Sequence, residues 1–430
     1  MRENRGQHDS RSDDSGWRQF PRRDRGSEVA LKRRSLLAVT SELPWPLDSG
    51  GHLRTFHLLR ELASRMRVRL VAGIAQADDS AVAGVTAAGI DVTPAVVGDR
   101  RPWREALRAL KAAAVAEPYV FYRRHDRRAI WDAIRHEIQQ QPPDVLYLDH
   151  LDSLRFVELA GSATVVADLH NVYSLLAERT AAEHSSGIAA RYLQREARLL
   201  DAIERRAAGR ADLLMTVSDL EARHFRSIGA RRVVVVPNGV DTREYAQLPV
   251  GRETAAHPVV LFLGSLSWAP NASAVQFLAT TALPEVRRHF PTAVLRIVGR
   301  GRSPAVEALR QLPGVELVGA VADVRPFLEG ANVLAVPLEA GGGTRLKILE
   351  AFAAGLPVVS TPIGAEGIAA EHGEHLVIAP RTEFGAAIAG LLERPAAGLA
   401  LARSAQRLAE SVYDWRGVGR QAAEAIEGLF

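Results

Sequence analysis

The chain has no cysteine. Disulfides, thiolate nucleophiles and thiolate-ligated zinc are thereby excluded, and the composition fits a reducing compartment. Long apolar runs are missing as well. Nothing approaches the roughly 18 apolar residues of a membrane span, and the first apolar stretch, residues 35–39, is shorter than a signal-peptide core of about 7 residues. These absences read as a cytoplasmic protein, with a position on the inner membrane surface left open. Two motif absences narrow the chemistry. No Gly-x-Gly-x-x-Gly follows the first apolar strand, which counts against a nicotinamide dehydrogenase. No Asp-x-Asp pair occurs, and Asp149-His150-Leu151-Asp152 has the wrong spacing for one. Neither a metal nor any other cofactor is expected.

What is present suffices for two ordinary domains: 430 residues, 47% of them hydrophobic and 24% charged. The net charge of +4 is confined to the start of the chain, because residues 1–34 hold 10 Lys/Arg against 6 Asp/Glu. The remainder is neutral, so a nucleic-acid partner is not expected. Residues 1–34 have little apolar surface to bury and are predicted to be a disordered basic tail.

From Ser35 onward, short Val/Leu-rich runs alternate with helical stretches, the pattern of βαβ units around parallel sheets buried on both faces. Pro237-Asn238-Gly239-Val240-Asp241 punctuates the series, and the alternation then restarts at Val259. The predicted fold class is α/β with two Rossmann-like domains, over 35–240 and 241–410, facing a central cleft. A final helical segment over 411–430 could cross back onto the first domain, with Trp415 as its anchor. Ligands of such sheets bind at the carboxyl ends of the strands.

The most informative segment is residues 337–351, PLEAGGGTRLKILEA. A strand ends, glycines follow, and a helix is predicted from about Thr344. The glycines let backbone N–H groups turn toward an anion, and the helix end favours a phosphate. Arg345 and Lys347 stand in the predicted first turn, where cations are disfavoured by roughly 0.3–1 kcal/mol each unless an anion compensates. Glu350 is placed to reach a ribose hydroxyl. The bland alternative is a glycine-rich loop with solvated basic residues.

This segment resembles the donor site of retaining glycosyltransferases of the GT-B fold, family 4 type, and is similar to sugar transferases of exopolysaccharide clusters. The likeness extends from about Leu36 to Trp415 and includes Gly50-Gly51, His170-Asn171, residues 237–241 and Gly264. It implies a nucleotide-sugar donor and a glycolipid or polysaccharide acceptor, with retention of anomeric configuration. By the resemblance, Glu350 holds the donor ribose, and Arg345, Lys347 and the backbone near Gly342, Gly343 and Thr344 hold the diphosphate. The loop at Val321–Asp323 would face the base. Many relatives carry an acidic residue where this chain has Gly342, and an Arg and a Lys soon after the glycine at Gly264. Here Ser265 follows, and the diphosphate contacts are expected to fall to Arg345 and Lys347.

In the first domain, Asp48-Ser49-Gly50-Gly51 lies between the first strand and a helix, so Gly50 and Gly51 could also present N–H groups to the donor. The resemblance assigns His170, at the end of a predicted strand, to the transferred sugar as the catalytic residue. A purely structural histidine is the bland alternative. Residues 100–128 carry 9 Lys/Arg against 3 Asp/Glu, with Trp103, Leu107 and Leu110 at helical spacing. That pattern suits a helix lying on anionic lipid, or equally a core-facing helix with a basic outer face. A non-catalytic nucleotide-sugar binding partner and a nucleotide-sugar epimerase of the same architecture remain as other functions.

Overall fold

Runs such as Leu36-Leu37-Ala38-Val39 have no polar face to offer water, so they are stable only as central strands covered on both sides. The computed structural model describes residues 33–98, 102–119, 121–183, 187–250, 256–301, 303–340 and 345–430. The predicted basic tail over 1–34 falls almost wholly outside them, as do Gly342, Gly343 and Thr344.

The first sheet contains β1 (Ser35–Thr40), β2 (Arg67–Ile74), β3 (Asp91–Val96), β4 (Val145–Asp149), β5 (Thr164–Leu169), β6 (Leu213–Thr216) and β7 (Val233–Val235). Its order is β3-β2-β1-β4-β5-β6-β7, with every pairing parallel. The second contains β8 (Val259–Leu263), β9 (Val294–Val298), β10 (Val315–Gly319), β11 (Val333–Val336), β12 (Val358–Ser360) and β13 (Val377–Ile378), in the order β10-β9-β8-β11-β12-β13 and again all parallel. In each sheet the order in which strands are added therefore reverses once, between β1 and β4 and between β8 and β11. Such switch points open a crevice at the strands' carboxyl ends.

Two strands escape the sequence reading. β3 has only one buried residue, Ala95, and contains Pro94. β13 is two residues long. Edge strands carry weak apolar signals because half their surroundings is solvent. Between β5 and β6 the chain forms two helices, Tyr173–Glu183 and Ile188–Arg210. The second is rich in charge, yet Ala197, Leu200, Ile203 and Ala207 on it are buried. The predicted helix at 102–114 forms, but not as a core-facing one. Trp103, Leu107 and Leu110 are half to two-thirds exposed, whereas Glu105, Arg108 and Ala112 face the protein. Polar anchoring explains the reversal: Tyr119 donates to Glu105 (2.8 Å), Arg127 pairs with Glu105 (3.1 Å), and Arg108 donates to the Asp126 carbonyl.

The chain returns at its end. A π-helical turn at Ala409–Tyr413 leads to the helix Trp415–Glu427, whose Trp415, Val418, Ala422, Ala423 and Ile426 join the core of the first sheet with Leu58, Leu59 and Leu62. The outgoing and returning segments run side by side. Val240 N–H donates to the Tyr413 carbonyl (2.8 Å), and Trp415 N–H donates to Val240 (3.2 Å). Gly239 is required by this approach, since a Cβ there would lie 2.7 Å from the Trp415 ring and 2.8 Å from the Tyr413 carbonyl.

Candidate functional site

Both switch points carry polar side chains that the sheets bury. In the first half, Asp149 ends β4 and Asp168 lies one residue before the end of β5, side by side in register. Two carboxylates without solvent need positive partners. Arg54, wholly buried on the helix Gly50–Ala63, supplies one, with Nη2 2.6 Å from Asp168 Oδ1 and Nε 2.9 Å from Oδ2. His170 supplies the other, with Nε2 2.9 Å from Asp149 Oδ1 and 3.4 Å from Asp168 Oδ2. Thr55 donates to Asp149 (2.7 Å) and Tyr147 to Asp168 (2.8 Å). Arg54 Nη1 also donates to the carbonyls of Val236 (2.8 Å) and Pro237 (3.1 Å), so the same guanidinium grips the crossing between the two halves.

Burial alone would favour the neutral His170 ring, but Asp149 and Asp168 outweigh it and raise its pKa to about 8. Arg54 and His170 in turn overcome the burial of Asp168 and hold it well below the usual carboxylate range. The cluster is therefore a charge-balanced set of two anions and two cations at neutral pH. His170 acts within it as an imidazolium rather than as a free base.

A second histidine, which the sequence reading passed over, completes the site. The His150 ring lies against His170 with centroids 3.7 Å apart. Burial and the neighbouring imidazolium lower its pKa, so it is neutral where His170 is charged. Its only sequence signal was its place after Asp149 at the end of a strand. Asp149, His150 and His170 bring one donor atom each within 4.8 Å of one another, as do Asp201, Glu204 and His224. Asp149 already accepts from both Thr55 and His170, so the first trio is satisfied as a hydrogen-bonded network.

In the second half, Gly264 follows β8 at a φ of +151°, and Lys347 projects from the helix Leu346–Ala353 toward it. Lys347 Nζ donates to Asn271 Oδ1 (3.0 Å) and stands 4.3 Å from the centre of the Phe262 ring. A Cβ on Gly264 would lie 2.7 Å from Nζ. Burial, reinforced by Arg345, lowers the Lys347 pKa to about 7, and burial raises that of Glu350 to about 7. Glu350 also feels Glu244, and the buried Tyr245 feels Glu350, Glu244, Arg325 and Asp323. The loop at 321–325 and Glu350 thus share one electrostatic neighbourhood.

Arg345 precedes the helix as its N-cap and is buried in the field of Glu366, Arg179 and Glu221. Burial is the larger influence and lowers its pKa to about 10. Across the cleft, Arg179 pairs with Glu366 (2.8 Å) and Arg300 with Asp48 (2.5 Å). Gly50 brings the first half against Leu346, where a Cβ would lie 3.2 Å from the Leu346 side chain, and Gly51 faces His150 at the same separation.

Comparison with known proteins agrees with the two-sheet fold. The family described as Glycosyltransferase Family 4 matches residues 49–244, and the family described as Glycosyl transferases group 1 matches 257–394. Glycogen synthase of Mycobacterium tuberculosis (strain CDC 1551 / Oshkosh) is 29% identical over 242 residues, 53% of this chain and 56% of the relative. Phosphatidyl-myo-inositol mannosyltransferase of Mycolicibacterium smegmatis is 30% identical over 226 residues, 50% of this chain and 56% of the relative. The matched region thus spans little more than half the length of these curated relatives. Among solved structures, Anabaena HepE in complex with UDP and glucose superposes with a TM-score of 0.64 at 18% identity, covering 92% of this chain and 100% of that one. Sucrose-phosphate synthase from Thermosynechococcus elongatus gives 0.69 at 16% identity, covering 93% and 99%. The two parallel sheets, their paired switch points and both matched halves place this chain among the glycosyltransferases of the GT-B fold, family 4 type.

Proposed function

We propose that the protein transfers a sugar from a nucleotide-sugar donor to a glycolipid or polysaccharide acceptor, with retention of configuration. The observation that carries this reading is Lys347 beside Gly264. An amine is held at the carboxyl end of the central strand of the second sheet, where only a glycine leaves room for the Lys347 Nζ, and strand ends of this kind are where phosphates bind. Glu350, on the same helix, is assigned to the donor ribose. Arg345 is assigned to the diphosphate indirectly, by shaping the field at the helix start.

The His170 imidazolium, facing the first-half crevice, would offset negative charge that develops as the diphosphate leaves. The acceptor oxygen forms its bond to the anomeric carbon on the face the diphosphate vacates, and its proton passes to the departing phosphate oxygen. The protein's share is orientation and electrostatic stabilisation. No metal or further cofactor enters this scheme.

A lipid-linked acceptor is favoured by the helix at 102–114. Its exposed Trp103, Leu107 and Leu110 form an apolar stripe beside exposed Lys111, suited to an anionic membrane surface. The phosphatidyl-myo-inositol mannosyltransferase relatives point toward the same acceptor class.

The test is calorimetric titration with UDP, GDP and their sugars, alongside Lys347→Ala and Glu350→Ala. Micromolar binding of one nucleotide, lost in both variants, followed by donor consumption only when an acceptor is added, supports the proposal. Acceptor-free epimerisation, or binding without turnover on any glycolipid or glycan, overturns it.

A further inference from the structure

A cavity of ≈ 370 Å³ lies between the helices Tyr173–Glu183 and Asp219–Ser227, and none of His150, His170, Lys347 or Glu350 lines it. Its volume falls within the roughly 300–1,000 Å³ of small-molecule pockets. Each helix gives it one stripe at helical spacing: Val172, Leu175, Leu176 and Arg179 from the first, and Leu220, Arg223, His224 and Ser227 from the second. Leu176 and Leu220 are only partly covered and, among the described residues, pack into no hydrophobic core. The aliphatic middle of the cavity is therefore apolar surface that folding leaves unused.

The two helices pass in opposite directions, which sorts the polar groups to the ends. At one end Ser174 donates to Glu204 Oε2 (2.5 Å), and His224 Nε2 stands 3.5 Å from the same oxygen. At the other end Arg179 lies in the field of Glu221 and pairs with Glu366. Arg345 shares that second group, so two guanidinium groups there meet two carboxylates and the charges balance. Arg223 is different. It lines the cavity, is exposed, and has no carboxylate partner among the described residues. The lining thus offers an apolar slot and one spare positive charge. A cationic head group would be repelled by Arg223, and a small hydrophilic anion would leave the leucines wet.

Glu366 also makes the cavity a joint between the halves. It belongs to the loop after β12, whereas every other wall residue belongs to the first half. A molecule filling the cavity touches both halves and favours the arrangement in which they meet. That arrangement surrounds Arg345, the N-cap of the helix that carries Lys347 and Glu350.

We propose that this cavity binds a monoanionic amphipath, its apolar body on Val172, Leu175, Leu176 and Leu220 and its anionic group on Arg223, and that the bound amphipath strengthens nucleotide binding at the donor helix. The site stands on its own geometry. Its coupling to the nucleotide rests on the transferase reading, and the coupling is reciprocal: each ligand raises the affinity of the other by the same factor.

The test is calorimetry on the full chain with decanoate, decyltrimethylammonium and acetate, each below the concentration at which it forms micelles, followed by UDP and GDP titrations with and without saturating decanoate. Two variants accompany it. Leu176→Trp fills the slot at a partly exposed position, and Arg223→Gln removes the charge at an exposed one, where the fold is not at stake. Decanoate is expected to bind once per chain, about tenfold or more tightly than either control, and to weaken about tenfold in Leu176→Trp and about fivefold in Arg223→Gln. One nucleotide should bind about fivefold or more tightly when decanoate is present, while its affinity without decanoate stays within about twofold in both variants. Equal binding of decyltrimethylammonium, decanoate affinity unchanged in Arg223→Gln, or nucleotide affinity indifferent to decanoate would each overturn the proposal. A chain that binds decanoate with these variant effects yet binds no nucleotide would leave the site standing and sink the transferase reading instead.

Discussion

Arg54 closes a two-point contact on Asp168, Nη2 to Oδ1 at 2.6 Å and Nε to Oδ2 at 2.9 Å, while its remaining amino group holds the crossing at Val236 and Pro237. One buried cation thus joins the acid that orders His170 to the segment where the chain passes between its halves. Removing it strands Asp168 beside Asp149 without its main counter-charge. Arg54→Ala is expected to lower stability by about 3–5 kcal/mol. Arg54→Lys should recover only part of this, because an ammonium cannot make the two-point contact. Urea denaturation of both variants checks it; a loss under about 1 kcal/mol for alanine would refute the role.

The raised pKa of His170 has a definite sign in stability. The folded state holds its proton up to about pH 8, the unfolded chain only to about 6.5. The contribution, about 2 kcal/mol, is fully present below pH 6.5 and lost as pH rises through 8. Chemical denaturation across pH 6–9 should show this decline in the native chain and a flatter profile in His170→Asn. Equal slopes would show that His170 is not the group responsible.

Lys347 predicts the pH dependence of donor binding. Its pKa of about 7 means that it loses charge just above neutrality. A diphosphate binds the charged form, so nucleotide affinity should fall as pH rises from 7 to 9. Lys347→Ala should remove about tenfold or more of the affinity and flatten the profile. Gly264→Ala should act similarly, by pushing Nζ aside. PH-independent binding in the native chain would contradict the assignment.

The His57 ring lies flat on Trp415, centroids 5.1 Å apart and planes within 7°. Burial, aided by Arg60, lowers the His57 pKa to about 4. The unfolded chain therefore takes up a proton near pH 6.5 that the docked state refuses until about pH 4. Stability is retained above 6.5 and declines toward 4 by up to about 3 kcal/mol. Trp415 fluorescence during acid titration should report release of the final helix before the rest unfolds, and His57→Phe should delay it. An unshifted midpoint in that variant would refute the mechanism.

Much of this was legible in the residues. Eleven of the thirteen strands stand in the Val/Leu runs, because strands buried on both faces need unbroken apolar sequence. β3 and β13 were not legible, since their burial depends on a neighbour and not on their own composition. The helix after the glycines was evident, although it begins at Leu346 and leaves Arg345 as its N-cap. His150 was hidden, because its value lies in a ring contact with a residue 20 positions away in the chain. The stripe at Trp103, Leu107 and Leu110 was visible as a pattern, but its direction was set by where Glu105 and Arg108 found partners.

The sequence by itself determined the two α/β halves and the strand-end placement of His170. Each of these follows from local chemistry: periodicity and the position of a residue just past a strand. Tertiary structure alone decided that Arg54 joins Asp168 to the crossing at Val236 and Pro237, and that His170 is charged while His150 is neutral. These depend on which charges share a buried space, and an electrostatic field at that scale is created only when distant segments are brought together without water between them.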